Sequence, residues 1–203
     1  MLAQSTVTDV GMRGSHFTAI SLDKATGTTR EIEVDGIVAG IGAQPNVDLA
    51  QAAGLAVDNG IVVDPFLRTS HPDVFAAGDV AAYWQSVLGQ RRRVEHEDNA
   101  TMMGRLAGRA MAGEREPYEH LPFFYSDMFD LGYEAVGDID PRSEVVAEWE
   151  EPCLKGVLTY RREGRVRGAL LWNVWDRLDA ARALIADPDA THPSQVLAAS
   201  GAH

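Results

Sequence analysis

Short apolar runs alternating with one long helical period predict an α/β chain that passes into an α+β domain toward its C-terminal side. Three observations carry this reading. Gly36 to Ile41 is continuously apolar, as a strand buried on both faces of a parallel sheet is. Val74 to Ala77 is a second short apolar run, introduced by the turn signal His71-Pro72-Asp73 and followed by Gly78 and Asp79 at its carboxyl end. Glu97 to Met111 has helical spacing, with Ala100, Gly104, Ala107, Gly108 and Met111 on one small-residue face and Arg105 and Arg109 off it; Gly113 stops it.

Taken in order, the chain opens with three short strands, Thr6 to Val10, Phe17 to Leu22 and Thr29 to Val34, which read as a meander. The apolar run from Gly36 then ends at Gly42-Ala43-Gln44-Pro45-Asn46, and Asp48 to Ala53 is a short helix closed by Gly54. Val57 to Val63 turns about Asn59-Gly60 as a hairpin would. A connector holding Arg91, Arg92 and Arg93 leads to the long helix. Beyond Tyr118, Tyr133 to Gly137, Glu144 to Glu150, Gly156 to Arg161 and Val166 to Trp172 alternate as antiparallel strands, and Asp176 to Ala186 is an Ala-rich helix stopped by Asp187-Pro188. The principal boundary falls between Gly113 and Tyr118, and Trp149, Trp172 and Trp175 are expected in the core or at an interface.

Bulk properties narrow the function classes. A 203-residue chain that is 45% hydrophobic supports one large core or two small ones. The net charge of -12 argues against a sequence-independent hold on nucleic acid, which relies on clustered Lys and Arg. The single cysteine, Cys153, excludes a disulfide or a Cys-x-x-Cys pair within the chain. No apolar run approaches the roughly 18 residues needed to span a bilayer, and no signal-peptide pattern opens the chain, so a cytoplasmic setting is the expectation.

The stretch Thr69 to Asp79, T-S-H-P-D-V-F-A-A-G-D, removes side chains from the backbone just before one carboxylate, which suits close approach to a polyhydroxyl ligand. It resembles the second flavin motif of the two-dinucleotide-binding flavoproteins, the family of ferredoxin reductases, glutathione reductase and apoptosis-inducing factor. The resemblance implies that Gly78, Asp79 and Val80 meet the ribityl chain of FAD; the alternative is a strand ending at a solvent-facing Asp. Gly42, Pro45 and Asn46 resemble the family's a-x-G-x-x-P-N exit from the pyridine-nucleotide domain. Gly40-x-Gly42 does not begin a dinucleotide fingerprint, because Pro stands at position 45.

Arg93-Val94-Glu95-His96-Glu97-Asp98-Asn99-Ala100 looks most like apoptosis-inducing factor and its bacterial relatives. Short polar residues at a helix start cap free N–H groups where the dipole is positive. The resemblance implies that Glu97, Asn99 and Ala100 belong to a helix end facing the flavin pyrimidine, that Glu95 faces the nicotinamide carboxamide, and that His96 lies beside the isoalloxazine. A plain capping cluster is the competing reading. Phe123-Phe124-Tyr125-Ser126-Asp127 resembles the family's Phe-Trp-Ser-Asp segment, with Tyr125 where Trp stands, so Tyr125 is either a flavin neighbour or core. His192-Pro193-Ser194 is similar to the His-Pro-Thr element of the glutathione-reductase class, but Leu197 replaces its Glu, and it reads as a loop and helix cap.

On this resemblance, residues 1–45 are the end of an NAD(P)H-binding domain, 46–115 the C-terminal part of a Rossmann-like FAD domain, and 116–203 an antiparallel-sheet interface domain. FAD and NAD(P)H are the implied cofactors, with hydride passing from nicotinamide to flavin and electrons onward to an acceptor protein or small molecule. The Arg91 to Arg93 run is a candidate docking site for an acidic ferredoxin-type acceptor, or else a solvated turn. The chain has no G-x-G-x-x-G to cradle a dinucleotide pyrophosphate, so tight FAD binding is not expected of it alone. A completing polypeptide, or a homodimerisation or docking role without catalysis, is the alternative.

Overall fold

The structure, a computed structural model, describes residues 1–190 and 192–198. The chain divides into two compact units, Met1–Gln44 and the remainder from Pro45. In the first unit, β1 (Ser5–Arg13), β2 (His16–Asp23) and β3 (Thr29–Val34) form an antiparallel sheet in the order β1-β2-β3. Tight turns join them. At the second turn Asp23 accepts hydrogen bonds from the Ala25 and Thr26 N–H groups at 2.8 and 3.1 Å, and Gly27 takes φ +71.

The apolar run from Gly36 to Ile41 is not a strand. It lies exposed in irregular backbone, with Val38 at 100% and Ile41 at 92% relative accessibility. A buried parallel strand needs neighbours to hydrogen-bond and layers to cover it, and among the described residues no strand pairs with this run.

In the second unit, α1 (Asp48–Ala52) precedes β4 (Ile61–Val62), which pairs in parallel with β5 (Ala81–Gln85); β6 (Gln90–Arg92) pairs antiparallel with β5. The strand expected over Val74 to Ala77 is replaced by irregular backbone with one bridge, Arg68 to Phe75. Gly78 breaks extended geometry with φ +75 and opens a single 3-10 turn, Gly78–Val80. The strand that matters comes after Asp79, not before it.

Helix α2 (Glu97–Met111) forms as its periodicity predicts, but on a different face. Its buried residues are Asn99, Met103, Leu106 and Ala107, while Gly104 and Gly108 face solvent. The larger side chains go inward because each fully buried Leu or Met contributes roughly 1.5–3 kcal/mol, which small residues cannot match. They pack with Val63, Leu67, Tyr83 and Tyr118 in one core.

A five-stranded antiparallel sheet follows: β7 (Phe123–Met128), β8 (Leu131–Gly137), β9 (Glu144–Glu151), β10 (Lys155–Arg162) and β11 (Arg165–Trp172), in the order β7-β8-β11-β10-β9. Helix α3 (Leu178–Ala186) and the short α4 (Ser194–Ala198) belong to the core on one side of it, where Leu184, Ile185 and Val196 share a cluster with Val136, Val157 and Leu171. Leu88, from the β5–β6 turn, enters the same core, and its carbonyl accepts from Arg167.

The opposite face carries an aromatic row. Phe124 meets Tyr133 edge-on with centroids 6.0 Å apart, and Tyr133 stacks on Trp172 at 6.0 Å and 7°. The rung continues through Gly156, where a Cβ would fall 2.6 Å from the Trp149 ring.

Candidate functional site

The loop after β6 delivers His96 as the N-cap of α2, at φ -102 and ψ 140. No side chain among the described residues caps this helix, so its first N–H groups and the positive end of its dipole stay available. Ala100, in the first turn, packs on the 3-10 turn: a Cβ on Gly78 would lie 3.5 Å from the Ala100 Cβ. The Asp79 turn and the helix start are therefore immediate neighbours. Arg93 fastens them, donating from Nη1 to the Asp79 carbonyl at 3.0 Å and to Glu95 Oε1 at 2.5 Å. The Asp79 side chain is exposed and takes no hydrogen bond among the described residues.

An open cleft of about 480 Å³ lies at this helix start. Its walls include Glu95, His96 and Glu97 from the N-terminal end, Thr101, Met102 and Arg105 from the outer face of α2, and Phe123, Phe124 and Tyr125 from β7. The His96 and Phe124 rings lie 4.8 Å apart and tilted at 43°. Burial lowers the His96 pKa below its ordinary value; the nearby Arg92 guanidinium acts in the same direction, and Asp98, Asp79 and Glu95 oppose it. The imidazole is thus kept neutral at physiological pH.

Asp98 joins helix to sheet. Its Oδ2 lies 2.5 Å from His120 Nε2, accepts from the Phe123 N–H at 3.2 Å and sits 3.7 Å from Arg182 Nη2. Arg182 also donates to the Leu121 carbonyl at 3.0 Å and stands over the Phe123 ring. This cluster holds the β7 aromatics against the helix start.

Of the residues singled out in the sequence, Glu95, His96, Glu97 and Tyr125 meet at the cleft, with Gly78, Asp79, Val80 and Ala100 beside it. Asn99 does not join them. It is fully buried, donating to the Val94 carbonyl at 3.1 Å and accepting from Tyr118 Oη at 2.9 Å, because its place on the helix turns it into the core. Pro45 and Asn46 stand before α1, outside the cleft lining, and Gly42 belongs to the first unit.

The side chains of the Arg91 to Arg93 run are anchored on backbone, with Arg91 still exposed. Arg91 donates to the Ala82 carbonyl at 2.8 Å, Arg92 to the Gly137 carbonyl at 3.2 Å, and Arg93 is held as above, since β6 and the following loop turn these side chains onto neighbouring backbone. Sequence reasoning missed Asp98, Thr101, Met102 and Arg105 as a set. Their spacing of three, four and seven positions marks one helix face, which is the signal that finds them. Arg105 is exposed on the cleft wall with no ion pair among the described residues. No helix among the described residues is long and apolar enough to cross a membrane, and no cluster of metal-ligating side chains occurs among them.

The arrangement suits a flat, polar-edged ring laid against Phe124 and Tyr125 with an electron-rich edge at the helix start. The pyridine nucleotide-disulphide oxidoreductase family matches residues 1–104, and the C-terminal region of mitochondrion-associated apoptosis-inducing factor matches residues 107–153. The chain belongs to the pyridine nucleotide-disulphide oxidoreductase family, whose cofactors are FAD and NAD(P)H. Apoptosis-inducing factor 1 of Dictyostelium discoideum is 35% identical over 171 residues, covering 77% of this chain and 32% of that protein. The ferredoxin–NAD(+) reductase component of the anthranilate 1,2-dioxygenase system of Burkholderia cepacia is 34% identical over 169 residues, covering 82% and 41%. Among solved structures, the ferredoxin reductase for the CYP199A2 system of Rhodopseudomonas palustris aligns with a TM-score of 0.79 at 28% identity, over 95% of this chain and 46% of that one. The chain thus spans a third to two-fifths of the length of these curated relatives.

Proposed function

We propose that this chain forms the flavin-facing helix start and the interface domain of an FAD-dependent NAD(P)H oxidoreductase of the ferredoxin-reductase and apoptosis-inducing-factor type. The observation that carries the proposal is the uncapped α2 start, opening beside the free Asp79 carboxylate onto a cleft walled by His96, Phe124 and Tyr125. Those residues fit a flavin: a helix N-terminus favours anionic charge, an aromatic wall accepts a planar ring, and a carboxylate accepts from hydroxyl groups. Bound there, FAD supplies hydride acceptance from NAD(P)H and passage of electrons to an acceptor protein or small molecule.

The chain's own residues orient and tune that site. Asp79 takes the ribityl hydroxyls, and Gly78 and Val80 carry the backbone past them. The N–H groups at Glu97 and Asp98 meet the pyrimidine edge, with Ala100 leaving room for the turn. His96 contributes a neutral ring beside the isoalloxazine, and Tyr125 and Phe124 exclude water. Glu95, held by its ion pair with Arg93, would meet the nicotinamide carboxamide. Gly42, Pro45 and Asn46 serve as the passage between the nucleotide domains, with residues 1–45, 46–115 and 116–203 as the domain parts.

Arg105, exposed on the cleft wall with no ion pair among the described residues, joins the Arg91 to Arg93 run as a docking candidate for an acidic acceptor protein. The test is an absorption titration of the purified chain with FAD, repeated with Asp79→Ala. A perturbed flavin band whose affinity falls about tenfold or more in the variant is expected, since a hydrogen bond to a charged group contributes about 1.5–3 kcal/mol. A folded chain that leaves the flavin spectrum unchanged would overturn independent FAD binding. It would point to a site completed by another polypeptide, or to a docking module without catalysis.

A further inference from the structure

His96 lines a second, small cavity of about 10 Å³, whose walls include Tyr83, Arg92, Leu121 and Gly137. Two polar atoms from its lining residues are buried with no hydrogen-bond partner among the described residues: Tyr83 Oη and His96 Nδ1. A buried polar atom without a partner is destabilising, so finding two at one cavity calls for a ligand that serves both. A volume near one probe sphere, with polar groups on more than one wall, matches a single water.

We propose that this cavity is a specific water site and that Tyr83, acting through the water, is the positioning residue for His96. The donors and acceptors sort themselves. The Gly137 carbonyl already accepts from Arg92 at 3.2 Å. Arg92 has only donors and carries a positive charge, so it draws the water oxygen toward itself and turns the hydrogens toward His96. Nδ1 therefore accepts, and the imidazole proton resides on Nε2. The Tyr83 hydroxyl completes the water's shell, with the Gln85 amide beside it donating to the His120 carbonyl at 2.8 Å and accepting from the Val87 N–H at 3.1 Å.

The surroundings keep His96 neutral, as this arrangement requires: burial and Arg92 disfavour the imidazolium, against Asp98, Asp79 and Glu95. Burial also pushes the Tyr83 phenol up to about 12, so it remains a protonated donor. Given the flavin-site reading above, on which the functional consequence rests, the water fixes which ring nitrogen offers a proton to the cleft and holds the ring against Phe124.

The test is histidine nitrogen NMR on the cofactor-free chain and its Tyr83→Phe variant, with His96 assigned by His96→Asn, and water-to-ring cross-relaxation recorded in parallel. The expected result is one tautomer, protonated at Nε2, with a water cross-peak to the His96 ring. In Tyr83→Phe the cross-peak is lost and both tautomers become populated. A parent chain without the water cross-peak overturns the site itself. A variant with the parent's tautomer pattern overturns the role of Tyr83. Because no flavin is added, failure to bind FAD leaves this result untouched, and FAD binding with an insensitive tautomer sinks this inference alone.

Discussion

Glu134 shows how much one carboxylate can depend on its surroundings. It sits on β8 opposite Tyr125 and Leu171, with Oε2 buried and unpartnered among the described residues. Burial raises its pKa above the ordinary 4.5, Asp176 adds to the rise, and Arg182 opposes it. The folded state thus prefers the protonated form. Its contribution to stability is present below the unfolded-state pKa and is lost as pH rises through the raised folded value. Glu134→Gln should therefore raise Tm at pH 7 and give little or no gain at pH 4, which thermal scans at the two pH values will show. A gain of equal size at both would mean that packing, and not ionisation, governs the position. No sequence pattern announces this, because Glu134 occupies an alternating strand position like its neighbours and its burial is decided by α3 and the Asp176 loop.

At the scale of elements, α2 is the part of the chain most legible in sequence, and the part whose orientation was least so. Its limits follow from Gly113 and the polar start, but the small residues Gly104 and Gly108 look like a packing face and are not one. The polar Asn99 looks like a ligand and is core. Its side chain ties the helix to Val94 and Tyr118, and Tyr118 stands edge-on to Tyr83 with centroids 5.2 Å apart. Asn99→Ala should cost about 1–3 kcal/mol, because Tyr118 Oη and the Val94 carbonyl lose their partner. Urea unfolding measures this. Strands β8 to β11 could be read from their β-branched and aromatic residues and their turn residues. The β5–β6 hairpin could not, because Ala81 to Gln85 is made strand by pairing with β4 and β6 and not by its own composition.

At the scale of the molecule, the cleft gathers residues from α2 and β7 that stand some thirty positions apart at the extremes, from Glu95 to Tyr125. Sequence motifs found the two ends of that span. Arg105 and the Asp98 cluster between them needed the helix to be wound and the sheet to be docked. The three consecutive arginines show where cations are, and only the fold shows which backbone carbonyls they reach. Arg105→Glu should slow association with an acidic ferredoxin-type protein several-fold at low salt, with the difference shrinking as ionic strength rises. Arg92→Gln should instead loosen the hold on the Gly137 carbonyl and lower stability. Stopped-flow binding across a salt series separates the two, and an insensitive Arg105→Glu would move the docking face elsewhere.

The aromatic row across the interface sheet has an optical consequence. Phe124 stands at the cleft, and Tyr133 and Trp172 are stacked behind it. Ultraviolet excitation collected by Tyr133 passes readily to a tryptophan stacked on it, and a yellow chromophore seated against Phe124 would drain that emission. The chain thus carries its own antenna, and occupancy of the cleft should register as a dimming of its intrinsic fluorescence, with no label attached.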